Sequence, residues 1–185
     1  KIGICTDSGS GITPEEGREL GIKVVPMPFR MGEEEYFEDI NISREEFFQR
    51  LLSGESVSTS QPSMESVMES WDELLSEYDE IVHIPLSSGL SGSTQTAIML
   101  SQDEPYLGRV FVPDSRGVSV TQRMHCIFAK SLGESGYTGK AIQERLNHAG
   151  GENGIYIGVQ NLSYLKRGGR ITPMAAAIGT LLQIK

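Results

Sequence analysis

The sequence predicts an α/β fold: a mostly parallel sheet flanked by helices, with a second α/β domain only partly present. Three observations carry that expectation. Short β-branched runs alternate with amphipathic stretches, which is the pattern of crossover units and of a sheet covered on both faces. The glycine-rich segment Gly150-Gly151-Glu152-Asn153-Gly154 reads as a linker, separating a domain over residues 1–150 from a second one. Beyond it a fresh strand, Ile155 to Val159, opens residues 155–185, which stop at Leu181-Leu182-Gln183-Ile184-Lys185 in mid-hydrophobic pattern, as a truncated C-terminal domain would.

Each element follows from local pattern. Ile2 to Thr6 is a buried opening strand, closed by the turn residues Asp7-Ser8-Gly9. Ile22 to Pro26 is a second strand, and residues 30–42 are acidic and irregular, a surface excursion. Ser43 with Glu46 three residues on spells a capping box before a helix carrying Phe47, Phe48, Leu51 and Leu52 on one side. Met64, Val67, Met68, Trp71, Leu74, Leu75 and Tyr78 recur at helical spacing, which assigns them to a core-facing stripe and not to a cofactor box. Ile81 to Leu86 is a strand, Ser91 to Ser101 a helix with Ala97 and Ile98 inward, and Val110 to Pro113 another strand. Val118 to Leu132 and Thr138 to Ala149 complete the helices, the latter with Ile142, Leu146 and Ala149 on one face.

Composition narrows the function. With 38% apolar and 22% charged residues among 185, the chain can bury a core and is not disordered. A net charge of -9 disfavours nucleic acid and anionic membrane surfaces as partners, and means that an anionic ligand must be captured by local donors. Cys5 and Cys126 have no metal-type spacing, and neither a signal peptide nor a membrane-length apolar run is present, so a reduced, cytoplasmic protein is expected. Cys5 reads as a small buried filler. None of His83, His125 and His148 belongs to a ligand-spaced pair, and His83 alternates within an apolar strand as a core residue. No metal, cofactor, nucleophile elbow or phosphate-binding Walker loop is expected.

Three strand-to-helix loops are polar in the same way: Thr6 to Ser10, Ser58 to Ser63, and Ser87 to Ser93. In open parallel sheets ligands collect at such strand ends. Helix N-termini there expose N–H groups, glycines admit the ligand, and hydroxyls add donors, so an anion site needs no formal positive charge. Any one of these hydroxyls taken singly is more often an N-cap than a ligand contact: Ser60 and Ser63 compete for one helix, and Asp7 can brace the first turn. The segment Leu165-Lys166-Arg167-Gly168-Gly169-Arg170-Ile171 reads either as a tight turn aiming a guanidinium at a carboxylate or as an exposed basic turn.

Taken in order, Thr6-Asp7-Ser8, Thr59-Ser60-Gln61-Pro62, Ser87-Ser88-Gly89-Leu90-Ser91-Gly92, Asp114-Ser115 and Leu165 to Ile171 resemble the signature of the DegV family over essentially the whole chain. That resemblance implies a binding protein and not an enzyme: a long-chain fatty acid as ligand, no other cofactor, and, in some bacteria, a role as the fatty-acid-binding subunit of fatty acid kinase. It implies that the hydroxyls of Thr59 and Ser91 hold the ligand carboxylate, with Ser60 and Gly92 beside them, and Ser93 where the family pattern has Thr. Arg170 matches an arginine near the carboxylate and the kinase-facing surface. The implied partners are the acid and the kinase, with no nucleic acid and at most transient membrane contact. The family also continues through a longer C-terminal part, which is expected to supply much of the acyl tunnel. The rival reading is a phosphosugar-binding enzyme of an isomerase-like α/β type, which needs a general base among Asp7, Asp114 and the helical histidines. A pure interaction module would leave the polar loops unexplained.

Overall fold

Alternation of side chains along β1 (Ile2–Asp7) sorts the core into two layers. The computed structural model describes residues 1–156, 158 and 162–172, which fall into two units, Lys1–Asn153 and Gly154–Lys185. In the first unit β1 pairs in parallel with β2 (Ile22–Val25) on one side and β6 (Glu80–Ile84) on the other, and β6 pairs with the two-residue β7 (Val110–Phe111). The order β2-β1-β6-β7 is the parallel sheet that the alternating pattern predicts.

Ile4, Val82 and Ile84 face one side, against Cys126, Ala129 and Leu132 of α5 (Val120–Glu134) and Ile142 and Leu146 of α6 (Gly139–Glu152). Cys5, Ile81 and Val110 face the other, against Val67 and Trp71 of α3 (Met64–Leu75) and Ala97 and Leu100 of α4 (Ser93–Ser101). Val67 and Trp71 of the Met/Trp stripe are therefore core, with Met68, Leu74 and Leu75 packed against them, whereas Met64 is 50% exposed; Cys5 is a fully buried thiol whose pKa burial pushes up. Ile98 departs from its inward assignment and is 40% exposed.

His83 is likewise a core residue. Its Nδ1 accepts the Trp71 Nε1–H at 2.7 Å, and burial pushes its pKa down to about 3. Between that value and its ordinary 6.5, an unfolded chain takes up a proton that the folded one refuses. Stability is therefore expected to fall as pH drops through this window, by up to about 1.4 kcal/mol per pH unit. Urea titrations at pH 7, 6 and 5 check it, and His83→Gln should flatten the dependence.

The excursion at 30–42 is structured, contrary to expectation. β3 (Pro28–Met31) pairs antiparallel with β4 (Glu34–Phe37) and with β5 (Val57–Thr59), making a second, three-stranded sheet. Its acidic look reflects one solvated face, where Arg30 stands opposite Glu35. Phe29, Met31 and Ile42 supply a small core of their own. The helix α2 (Arg44–Leu52) that follows has no fully buried residue, and Leu52 is 81% exposed. Ser43 does cap it, accepting the Glu46 N–H at 3.1 Å. The reciprocal box forms instead at Thr13 and Glu16, ahead of α1 (Pro14–Leu20).

The expected linker at 150–154 begins inside α6, which runs to Glu152. Gly150 is a packing glycine: a Cβ there would stand 2.8 Å from the backbone of Asp114 and Ser115. In the second unit α7 (Ser163–Arg167) ends at Gly168, and Gly169 takes a φ of 72°. Of the strand expected at 155–159, Ile155, Tyr156 and Gly158 lie in no strand, and positions 157 and 159 fall outside the described residues, as do 181–185. No helix among the described residues is long and apolar enough to cross a membrane.

Candidate functional site

The hydroxyl loop after β6 is suspended from the ends of its neighbouring strands. Asp7, at the end of β1 and 1% exposed, accepts three N–H groups: Leu86 N at 2.7 Å, Gly9 N at 3.0 Å and Gln122 Nε2 at 2.9 Å. Burial pushes its pKa up, against the downward pull of those donors. Leu86 is gripped from its other side too, its carbonyl accepting Thr94 Oγ1–H at 3.0 Å. Ser87 N donates to Gly117 O at 2.9 Å, and both the N–H and the hydroxyl of Ser88 donate to Asp114. Ser88 is thereby consumed in holding the loop.

Ser91 stands differently. It is half-buried, its Oγ accepts Ser93 N–H at 3.2 Å, and it lies 2.8 Å from Ser93 Oγ. Helix α4 begins on Gly92 without a side-chain cap from that residue. The loop thus delivers two linked hydroxyls, one accessible and one buried, to a helix N-terminus.

The other loop comes from β5. Ser63 takes the cap of α3, accepting Ser66 N–H at 3.1 Å, which resolves its competition with Ser60. Among the described residues the hydroxyls of Thr59 and Ser60 make no hydrogen bond, and both are exposed. Gln61 bridges the two loops. Its Nε2 donates to Thr96 Oγ1 at 3.0 Å, and its Oε1 lies so close over Gly92 that a Cβ there would stand 2.7 Å away. A side chain at position 92 would have to displace the end of Gln61.

Period-two alternation sends Thr59 and Ser60 to different cavities. Thr59 lines one of about 330 Å³ walled mainly by Phe29, Ile42, Phe47, Phe48 and Val57, with Glu38, Ser43 and Arg44 also lining it. Phe47 stands edge-on to Phe29 and to Phe48, each pair with ring centroids 5.3 Å apart. Ser60 and Gln61 instead rim a cavity of about 470 Å³ floored by Pro26, Pro28, Phe37 and Ile40. An apolar cavity therefore opens at Thr59 within the first unit itself.

Gln122 carried no signal in the sequence, since a glutamine in an amphipathic helix is ordinary. Here it is fully buried, its Nε2 donating to Thr6 Oγ1, Asp7 Oδ1 and Ile84 O. Among the described residues no His, Cys, Asp and Glu group could hold a metal ion. Arg170 belongs to the second unit, where its guanidinium donates to Gly168 O and Arg167 lies over the Tyr164 ring at 4.7 Å.

Fold and site together describe a parallel α/β unit with two hydroxyl-bearing loops, one of which lines a largely apolar cavity at Thr59. A family model described as an uncharacterised protein of the DegV family matches residues 1–185, and the chain belongs to that family. A DegV domain-containing protein of Staphylococcus aureus is 32% identical over 182 residues, 98% of this chain and 64% of its own length. One from Halalkalibacterium halodurans is 31% identical over 188 residues, covering 100% of this chain and 66% of its own. The chain thus spans about two thirds of the length of these relatives. Among solved structures, one described as fatty acid binding of a DegV family protein from Thermus thermophilus superposes with a TM-score of 0.86 at 34% identity, covering 98% of this chain and 65% of that one. DegV of Bacillus subtilis, described as a fatty acid binding protein, gives 0.78 at 26% identity, with 96% and 64% covered.

Proposed function

We propose that this chain binds a long-chain fatty acid, its carboxylate held by Thr59 and Ser91 with Ser60, Gly92 and Ser93 around them. The observation that carries this reading is the position of Thr59, whose residue lines an apolar, aromatic-walled cavity while its loop is tied through Gln61 to the Ser91 loop. An acyl tail entering that cavity gains roughly 0.8 kcal/mol per methylene buried, so the tail supplies most of the affinity. The hydroxyls then keep the carboxylate from being buried unpaired.

The bound acid is presented, in the cytoplasm, to a kinase that forms the acyl phosphate, with Arg170 on the surface that faces that kinase. The protein is a carrier in lipid metabolism and leaves the chemistry to that partner, with at most transient membrane contact and no nucleic acid. Of the bases the phosphosugar alternative needs, both oxygens of Asp7 are taken by N–H donors and Asp114 accepts from Ser88, which leaves it only the helical histidines His125 and His148.

Native mass spectrometry of the protein purified after bacterial expression tests the reading. A bound species of acyl-chain mass is expected, displaceable by added fatty acid. A preparation that carries none and takes up none removes the proposal.

A further inference from the structure

Asp7 is buried at the foot of a site argued to take an anion, and neither of its oxygens is available to a ligand. Three N–H groups occupy them, from β1's own turn, from α5 and from the residue that starts the hydroxyl loop. We infer that Asp7 is a positioning residue of the carboxylate site: by accepting the Leu86 N–H it sets where the Ser87 to Ser93 loop begins, and so where Ser91 stands. This rests on the fatty-acid reading above.

The chemistry of the contact leaves little freedom. Only a group with two acceptor oxygens satisfies three N–H donors from three directions at once. At 1% exposure no water takes over a lost bond. Gln122 is oriented by the same logic, since its Nε2 faces Thr6 Oγ1, Asp7 Oδ1 and Ile84 O, and an amide turned the other way would set oxygen against three acceptors. Thr94 Oγ1 holds the carbonyl of the same Leu86 from the first turn of α4. The peptide at Leu86 is therefore clamped from β1 on one side and from α4 on the other, and the loop between them has its two ends defined by one residue.

The test is Asp7→Asn, which replaces one acceptor oxygen by an N–H₂ and sets donor against donor. Affinity is compared for hexadecanoic acid and for hexadecan-1-ol, whose tails are equal and whose heads differ in charge. Binding of the acid is expected to weaken about tenfold or more, while the alcohol changes less than about twofold. A residue with a merely structural part would weaken both together. Should Asp7→Asn not fold, Thr94→Val frees the carbonyl of the same Leu86, and the same acid-selective loss is expected of it. Equal losses for acid and alcohol, or an unchanged affinity for the acid, overturn the positioning role. If the unsubstituted protein binds no fatty acid, the fatty-acid reading itself fails and the positioning role falls with it.

Discussion

Replacing Trp71 with alanine is expected to cost the first unit about 3–5 kcal/mol of stability, the range for truncating a fully buried aromatic. The ring is 0% exposed and stands edge-on to Tyr106 at 5.0 Å and to His83 at 5.5 Å. Truncation opens a cavity between α3 and the sheet, and it strips His83 Nδ1 of its donor in a place water does not reach. The second effect is separable. Trp71→Phe keeps most of the volume and loses the N–H, so its loss should be about 1–3 kcal/mol, the range for a buried acceptor left unmade. Urea denaturation followed by circular dichroism measures both. A loss below about 1 kcal/mol for the alanine variant would mean that this layer of the core closes over without its largest member.

The double substitution Thr59→Ala with Ser91→Ala is expected to weaken fatty-acid binding by about 2–6 kcal/mol, taking 1–3 for each hydrogen bond to a charged group that is lost. Competition of a fluorescent fatty acid by hexadecanoic acid reads it directly. Folding is a necessary control, because Ser91 Oγ also accepts the Ser93 N–H at the start of α4, a contact whose loss costs about 1 kcal/mol by itself. Thr59 makes no hydrogen bond through its hydroxyl among the described residues, so its single alanine variant isolates the ligand contact. Unchanged affinity in the double variant would put the carboxylate elsewhere.

The parallel sheet was legible because its strands are short apolar runs and three of the four, β1, β6 and β7, are followed by a helix. The small antiparallel sheet was not. β3 and β4 have four residues each and β5 three, and their pairing depends on Phe29 meeting Thr59 across thirty positions of sequence. Charged residues on the solvated face then made the segment look like loop. Gly150 misled for a different reason. A glycine that closes a helix against a backbone and a glycine that loosens a linker look the same until the neighbour, here Asp114 and Ser115, is in place. The Thr13 capping box was readable from Thr13 and Glu16 at the usual spacing.

The site divides along the same line. The hydroxyls of Ser87 to Ser93 could be picked out because a run of serines at a strand-to-helix junction is unusual. What each hydroxyl does could not, because Ser88 is tied up only by the presence of Asp114 from a distant strand end. Gln61 and Gln122, which join loops and strands, carry nothing in their identity that sets them apart from surface glutamines.

The pairing of β5 makes the small sheet a selector. Because Thr59 and Ser60 point to opposite faces, the register of a three-residue strand decides which hydroxyl meets the aromatic cavity and which meets the proline-floored one. One residue inserted between Leu52 and Val57 and taken up as a one-place slip would bring Ser58 opposite Phe29 in place of Thr59 and turn Thr59 to the other face. Homologues with a different spacing at this point would then turn a different hydroxyl to the aromatic cavity, and their ligand preference should be compared after aligning faces, not residues.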